Sequence, residues 1–224
     1  MQVNVISCVT HRVSRCVALT VALCAVLFGA RQGEAQTPGI RFFGAIGGGV
    51  GKSGPAQSLG QDQFSGPTAD VILGYALTTR GVVGIDVAGF HKNTPFGTSR
   101  TVFGTVTVLG YPFGSVLSNL FLQGGVGVGN GNFPVHTSAS VVSQTSLTHP
   151  ALLVALGYDV PIVCPVWITP FFQSYGTFGG HRITSFANAH ESANVILYHA
   201  GLRLTYSHPG AAGQCRHRAP ALTE

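Results

Sequence analysis

Residues 196–206 read ILYHAGLRLTY, and their pattern decides the fold. Apolar side chains occupy the even-numbered positions of this stretch, whereas His199, Gly201, Arg203 and Thr205 occupy odd-numbered ones. Successive side chains of a β-strand point to opposite faces of the sheet, so a period of two is the signature of a strand. The stretch therefore predicts a strand with one apolar face and one small or polar face.

Seven segments upstream of this stretch carry the same period and are separated by turn-rich sequence. Four of them oppose an aliphatic or aromatic face to a face of glycine, alanine or polar residues: 69–78, 83–88, 120–129 and 152–160. Three have the period but leave the register open: 40–51, 101–111 and 166–176. Eight segments of about ten residues each are typical of a small transmembrane β-barrel.

Charged residues are scarce in this chain. Asp, Glu, Lys and Arg make up 8% of its 224 residues, against about 25% in an ordinary soluble domain. Hydrophobic residues make up 45%, and the mean hydropathy is +0.35. Beyond the N-terminus, however, no apolar run approaches the roughly 20 residues that a transmembrane helix needs. Strands that face lipid account for both observations.

The N-terminal 35 residues have the features of a secretory signal peptide. A basic stretch precedes an apolar run of fourteen residues at 17–30, which is too short to span a bilayer. Gly33 and Ala35 place small residues at the two positions that signal peptidase reads, so we predict cleavage before Gln36. The predicted organisation is a signal peptide at 1–35, a barrel domain at 36–206 and a periplasmic C-terminal tail at 207–224.

The connections between the segments alternate between long and short. Long connections are predicted near 52–68, 92–100, 130–149 and 177–193. Short connections are predicted near 79–81, 112–117 and 161–165. Outer-membrane barrels have long extracellular loops and short periplasmic turns, and an even strand count puts both chain ends in the periplasm. The alternation therefore favours a membrane barrel over a soluble one.

Aromatic residues lie close to the predicted strand ends, where membrane barrels carry girdles at the headgroup level. We expect Phe42, Tyr111, Phe113, Tyr158, Trp167 and Tyr206 toward the periplasmic side. We expect Phe90, Phe103 and Tyr175 toward the outer side.

The last segment also resembles the terminal-strand assembly signal of bacterial outer-membrane barrels. His199 is the polar residue of that signal, Gly201 its glycine, and Leu204 and Tyr206 the two hydrophobic or aromatic residues spaced by one. The signal usually ends the chain, whereas here residues 207–224 follow it.

Over residues 36–206 the chain is similar to the small eight-stranded barrels that include the OmpA membrane domain, OmpX and OmpW. The resemblance implies an all-β, closed, antiparallel, up-and-down transmembrane β-barrel in the cell outer membrane. It also implies contact with outer-membrane lipid and recognition by the barrel-assembly machinery.

A buried charge cluster is predicted inside the barrel. If the aliphatic faces meet lipid, Arg41, Asp86, Asp159 and Arg203 point inward toward the periplasmic end, and Asp70 points inward nearer the outer end. The first and last strands are neighbours in a closed barrel, so the two arginines lie close together and need an acid between them. Asp159 is the acid best matched in depth, and Asp86 is the next candidate. The alternative is that water or headgroups solvate each charge separately.

The mature chain keeps Cys164 and Cys215, an even number in a compartment that permits disulfides. Both are predicted at the periplasmic end, where the tail can bring them within bonding distance. The pair is therefore a candidate disulfide, and two unpaired thiols are the alternative.

The function that follows is a non-catalytic integral barrel with a structural or surface-interaction role. The inward faces are unusually small, so a narrow path for small solutes stays open as an alternative. A second alternative is a secreted, soluble, lipocalin-like barrel, whose aliphatic face would point inward around a hydrophobic ligand. A third is a lipid-modifying enzyme, but His190, Glu191 and Ser192 are consecutive and point in alternate directions on extended chain. Scattered basic residues and isolated histidines predict no nucleic-acid partner, metal or cofactor.

Overall fold

Twelve β-strands lie in the part of the chain that the computed structural model describes, which is residues 42–55, 63–78, 80–95, 97–113, 117–137, 140–145, 148–163, 165–179, 182–183, 190–191 and 194–206. They are β1 (Phe42–Pro55), β2 (Phe64–Thr78), β3 (Gly81–Thr94), β4 (Gly97–Gly110), β5 (Leu120–Thr137), β6 (Ser140–Thr145), β7 (His149–Tyr158), β8 (Val160–Val163), β9 (Val166–Thr177), β10 (Arg182–Ile183), β11 (His190–Glu191) and β12 (Val195–Tyr206). No helix among these residues is long and apolar enough to cross a membrane. The predicted signal peptide and tail lie outside them, as do Arg41, Cys164 and Cys215.

Eight of the strands close into an antiparallel barrel. β1, β2, β3, β4, β5, β7, β9 and β12 each pair with the next in this order, and β12 returns to pair with β1. The closing pair runs in register from Gly44 opposite Tyr206 to Pro55 opposite Val195. Closure leaves none of these strands with an open edge and satisfies their backbone groups internally. The predicted eight-stranded up-and-down barrel is confirmed.

The other four strands extend this wall or lie beside it. β6 pairs with the far end of β5, and β8 continues from β7 to pair with the start of β9. β10 and β11 form a separate two-residue ribbon. We call the end of the barrel where β1 begins and β12 ends the periplasmic end, and the opposite end the outer end.

The aliphatic faces of the strands point outward. On β1 the side chains of Ile46 and Val50 are 62% and 71% exposed, and on β7 Val154 is 67% exposed. The barrel therefore has an apolar exterior, which suits hydrocarbon lipid. A soluble barrel that binds a hydrophobic ligand needs the reverse arrangement, with its polar face in water.

The structure shows which face of β1, β4 and β9 points inward, a question that the sequence left open. β1 points Phe42 outward and Phe43 inward, and β4 points Val106 outward and Phe103 inward. β9, which carries aromatic residues on both faces, buries Trp167, Phe171 and Tyr175 and exposes Phe172.

One predicted long connection is wrong. Residues 92–100 form a tight hairpin, in which β3 ends at Thr94 and pairs with Gly97 at the start of β4. Pro95 and Gly97 occupy the second and fourth positions of this turn, which are favoured by proline and glycine. Gly97 has a φ of 136°, a conformation that side chains rarely adopt. The hydroxyl group of Thr94 donates a hydrogen bond to the carbonyl oxygen of Gly97 and closes the turn.

The predicted aromatic girdles are only partly correct. Phe42, Phe113, Tyr158 and Tyr206 are exposed near the periplasmic end, as expected of a girdle. Tyr111, Trp167, Phe90, Phe103 and Tyr175 are instead buried inside the barrel. Their depth was estimated from the strand ends, but strand parity decides the face and turns these five rings inward.

Candidate functional site in the barrel interior

Two apolar layers fill the interior of the barrel. The outer apolar layer consists of Ala88, Phe90, Phe103, Phe133, Ala151, Leu153, Ala155, Tyr175, Val195 and Leu197. The periplasmic apolar layer consists of Phe43, Ala45, Ile72, Ala76, Val82, Leu109, Tyr111, Phe121 and Phe171. Phe103 stacks on Tyr175 at 4.9 Å between ring centroids in the first layer, and Tyr111 meets Phe121 edge-on at 6.1 Å in the second. Side chains can fill the width of an eight-stranded barrel in this way.

Between these layers lies a set of buried polar side chains that we call the central polar layer. Its members are at most 3% exposed: Asp70, Asp86, Gln123, Gln173, His199 and Arg203. They come from strands all round the barrel, since β2, β3, β5, β9 and β12 each contribute. Buried polar groups of this kind are tolerated when they pair with one another.

Arg203 is the only basic residue of this layer with a fixed charge, and it is held by an ion pair. Its Nε donates to Asp70 Oδ2 at 2.6 Å, and its Nη2 lies 3.9 Å from Asp86 Oδ2. The guanidinium also lies over the ring of Phe171, 4.1 Å from the centroid. A cation that is desolvated in this way gains from both the carboxylates and the aromatic face.

Gly47 makes the pair of Arg203 and Asp70 possible. On β1, Gly47 is opposite Asp70 of β2 on one side and opposite Arg203 of β12 on the other. A Cβ atom at this position would lie 2.6 Å from Arg203 Cγ and would also meet the Asp70 carboxylate. The absence of a side chain at Gly47 therefore leaves the space in which Asp70 of β2 and Arg203 of β12 form their ion pair across β1.

Asp86 is held mainly by neutral donors. Gln123 Nε2 donates to it at 2.7 Å, Gln173 Nε2 at 3.2 Å and Tyr175 Oη at 2.8 Å. Gln123 also accepts from Arg203 Nη1 at 3.5 Å, a long contact that links the acid to the arginine. Three donors on one carboxyl group suit its ionised form, which accepts hydrogen bonds and donates none.

Asp159 directly follows the periplasmic end of β7. It accepts from Tyr111 Oη at 2.6 Å and from Thr169 Oγ1, and Thr169 also meets Thr205 at 3.1 Å. From the sequence, Asp159 was predicted to be the acid at the depth of Arg203, and Asp86 was the next candidate. The described ion pairs of Arg203 are with Asp70, which the sequence placed nearer the outer end, and with Asp86, the second candidate. Strands of a barrel are tilted and staggered, so counting residues from strand ends does not give depth across several strands.

The predicted inward direction holds for each described residue of the charge cluster. Asp86, Asp159 and Arg203 are buried inside the barrel, whereas Arg41 lies outside the described residues. Gln123 and Gln173 were not singled out from the sequence. Their signal was present, since each is a polar residue at an inward position of a strand with period two.

The residues of the assembly signal follow the alternation of β12. His199 is fully buried, while Leu204 and Tyr206 are 51% and 54% exposed on the outer wall. Gly201 faces Gly49 across the closing pair of strands. Recognition of these residues by the assembly machinery stays a prediction.

Several buried polar atoms of the central layer lack a hydrogen-bond partner among the described residues. They are Asp70 Oδ1, Gln173 Oε1, Arg203 Nη2 and both ring nitrogens of His199. His199 Nδ1 lies 3.8 Å from Asp70 Oδ1, a separation that a water molecule can bridge. Across the described side chains, no group of three His, Cys, Asp or Glu is placed to hold a metal ion. The layer is thus equipped to hold polar groups and water in the middle of an apolar interior.

Comparison with known proteins bears on the fold. No protein-family model matches the chain, and no curated protein matches its sequence. The crystal structure of Neisserial surface protein A (NspA) matches with a TM-score of 0.52 and 12% identity, over 74% of this chain and 96% of NspA. Ail of Yersinia pestis matches with a TM-score of 0.45 and 11% identity, over 74% of this chain and 97% of Ail. OprG from Pseudomonas aeruginosa matches with a TM-score of 0.42 and 13% identity, over 75% of this chain and 97% of OprG.

At this identity the match to NspA shows the fold alone. The closed barrel of eight strands and its outward aliphatic wall agree with that fold. This chain has the fold of the small eight-stranded barrels of bacterial outer membranes, with the apolar outer wall of a membrane-spanning barrel.

Proposed function

We propose that this chain is a non-conducting, non-catalytic barrel that acts through its outer wall and outer end. The observation that carries the proposal is the filled interior. A solute would have to pass the outer apolar layer, the central polar layer and the periplasmic apolar layer in turn. The outer layer draws its side chains from β3, β4, β5, β7, β9 and β12, and the periplasmic layer draws most of its side chains from β1, β2, β3, β4, β5 and β9, so the two layers together involve all eight strands of the barrel.

A narrow path for small solutes is the second candidate. The central polar layer favours it, since its unpartnered polar atoms could solvate a small ion or water. The apolar layers on either side oppose it, because crossing them removes a hydrated ion from water at high cost.

The test is a planar-bilayer conductance measurement on the refolded protein. We expect no unitary current steps above the bare bilayer at any moderate voltage. A double variant, Phe103→Ala with Tyr175→Ala, removes the stacked pair of the outer layer and is expected to stay silent, since the periplasmic layer remains. Stable current steps from the unmodified protein would contradict the proposal and favour the narrow path.

A further inference from the structure

The closing pair of the barrel, β1 with β12, differs from the other seven pairs in how its register is fixed. Each of the other pairs joins strands that follow one another round the barrel in chain order, so the segment between them limits how far they slide. β1 and β12 are the first and last strands of the barrel, and no single connection joins them. The register of this pair therefore depends on side chains.

The side chains of β1 carry little information for that choice. Six of its fourteen residues are glycine: Gly44, Gly47, Gly48, Gly49, Gly51 and Gly54. A slip by one residue would turn the apolar face of β12 into the interior, but a slip by two keeps every side chain on its own face. Glycine-rich strands are prone to such slips. A slip by two is thus the error that closure has to avoid.

An ion pair crosses this seam and depends on its register. Arg203 of β12 donates from Nε to Asp70 of β2 at 2.6 Å, and both residues are opposite Gly47 of β1. Nε is the guanidinium nitrogen nearest the backbone, so only the terminal guanidinium atoms remain to follow a displaced partner. His199 of β12 approaches the same carboxylate, with Nδ1 3.8 Å from Asp70 Oδ1. Asp70 is therefore the position on β2 at which two buried side chains of β12 meet.

A slip by two residues would separate this pair. With β12 shifted in one direction, Arg203 would lie opposite Gly49, whose partner on β2 is Thr68. With β12 shifted in the other direction, it would lie opposite Ala45, whose partner on β2 is Ile72. Either shift moves Arg203 about 6–7 Å along β1, and neither partner is a carboxylate. A buried guanidinium without its acid is costly, so both slipped registers are disfavoured relative to the observed one.

We propose that the ion pair of Arg203 and Asp70 selects the register in which β12 closes on β1 during assembly of the barrel. Asp70 lies on the strand that follows β1, so it marks a position on the first hairpin that Arg203 of the last strand meets when the sheet closes. Gly47 keeps the path between them open, since a Cβ there would lie 2.6 Å from Arg203 Cγ. The proposal concerns closure, and it does not depend on whether the folded barrel conducts.

The test reads the register by disulfide cross-linking across the closing pair. Two cysteines are placed at outward positions of the full chain after its five native cysteines are replaced by serine, and oxidant is added once the barrel has refolded. Ile46→Cys with Leu204→Cys reports the observed register, in which these residues are opposite each other. Gly48→Cys with Leu204→Cys reports a slip by two, because their diagonal separation of about 7–8 Å in the observed register is too long for a disulfide.

A swapped variant moves the acid without changing the composition of β2. Thr68→Asp with Asp70→Thr places the carboxylate opposite Gly49 instead of Gly47. We expect the 48–204 cross-link to rise roughly tenfold in this variant and the 46–204 cross-link to fall, whereas the native β2 sequence should give the 46–204 product alone. Asp70→Asn is the second variant and should give both products, so it decides the question if the swapped chain does not fold.

Asp159→Asn is the matched control, because it removes another buried carboxylate whose described hydrogen bonds are with Tyr111 and Thr169. It should give the 46–204 product alone. Cross-links are read only in the folded band of an unheated gel, so misfolded chain does not contribute. An unchanged 46–204 product without any 48–204 product in the Asp70 variants would overturn the proposal and show that packing of the interior rings selects the register. A slip of the same size in the Asp159 control would overturn it as well.

Discussion

The central ion pair offers the most direct test of how the interior is built. Asp70→Ala removes the carboxylate that Arg203 contacts at 2.6 Å and leaves this arginine, which is 2% exposed, without its nearest counter-charge. Removing one partner of a buried ion pair costs about 3–5 kcal/mol, because the remaining charge is uncompensated. Here Asp86 stays at 3.9 Å and the Phe171 ring at 4.1 Å, so part of the compensation survives. We therefore expect a loss of about 3 kcal/mol, at the lower end of that range.

The assay is urea unfolding of the refolded barrel in lipid vesicles. Trp167 is the single tryptophan of the chain and is 2% exposed inside the barrel, so its fluorescence reports unfolding. The matched control is Thr68→Ala, which changes another inward residue of β2 that has no hydrogen-bond partner at Oγ1 among the described residues. The control is expected to cost less than about 1 kcal/mol, as does the loss of a polar atom that makes no bond.

A double variant separates the charge effect from simple loss of packing. Arg203→Met combined with Asp70→Ala removes both charges and keeps an unbranched apolar chain in the same place. It should be more stable than Asp70→Ala alone, since the buried guanidinium is gone and Asp86 keeps its three neutral hydrogen-bond donors. A loss below about 1 kcal/mol for Asp70→Ala, or a double variant as unstable as the single one, would refute the reasoning that Asp70 compensates the buried charge of Arg203.

Three further predictions follow from the same structure. Gly47→Ala should lower the free energy of unfolding by about 1–3 kcal/mol, because its Cβ would displace both partners of the ion pair. A Cβ at Gly48 meets nothing closer than 3.6 Å, so Gly48→Ala should be tolerated. Equal urea midpoints for the two variants would contradict this prediction. The closed barrel should migrate differently before and after boiling on a denaturing gel, and identical mobility would count against closure. Cys164 and Cys215 should resist thiol labelling in protein prepared under oxidising conditions, and labelling of both would reject the predicted disulfide.

The fold could be predicted from the alternation in the sequence because each barrel strand has one apolar outward face and one inward face. The stretch at 196–206 predicts β12 to within one residue, since apolar outward and polar inward positions alternate along it. The hairpin at Thr94 and Gly97 was missed for a different reason. The period-two segments recognised in the sequence end at residue 88 and resume at residue 101, so the Pro95 and Gly97 turn residues were assigned to a long connection between them.

Partners across the barrel could not be predicted in the same way. Arg203 meets Asp70 because both are register partners of Gly47, and that register depends on how three strands are staggered. Stagger is a long-range property of the closed sheet, whereas alternation is local. The direction of Asp86, Asp159 and Arg203 could therefore be inferred from the sequence, but the pairing of Arg203 could not.

The small residues on the inward faces of the strands have a different physical role from the one that the sequence suggested. Glycine and alanine at inward positions were compatible with a narrow path through the barrel, since small side chains leave space. In the structure that space is taken by aromatic rings from other strands. A Cβ at Gly129 would lie 2.5 Å from Phe103 Cδ1, and one at Gly157 would lie 2.6 Å from Phe121 Cε1. Gly129 and Gly157 thus make room for rings that fill the interior, because a barrel of this width cannot hold large side chains from every strand at one level.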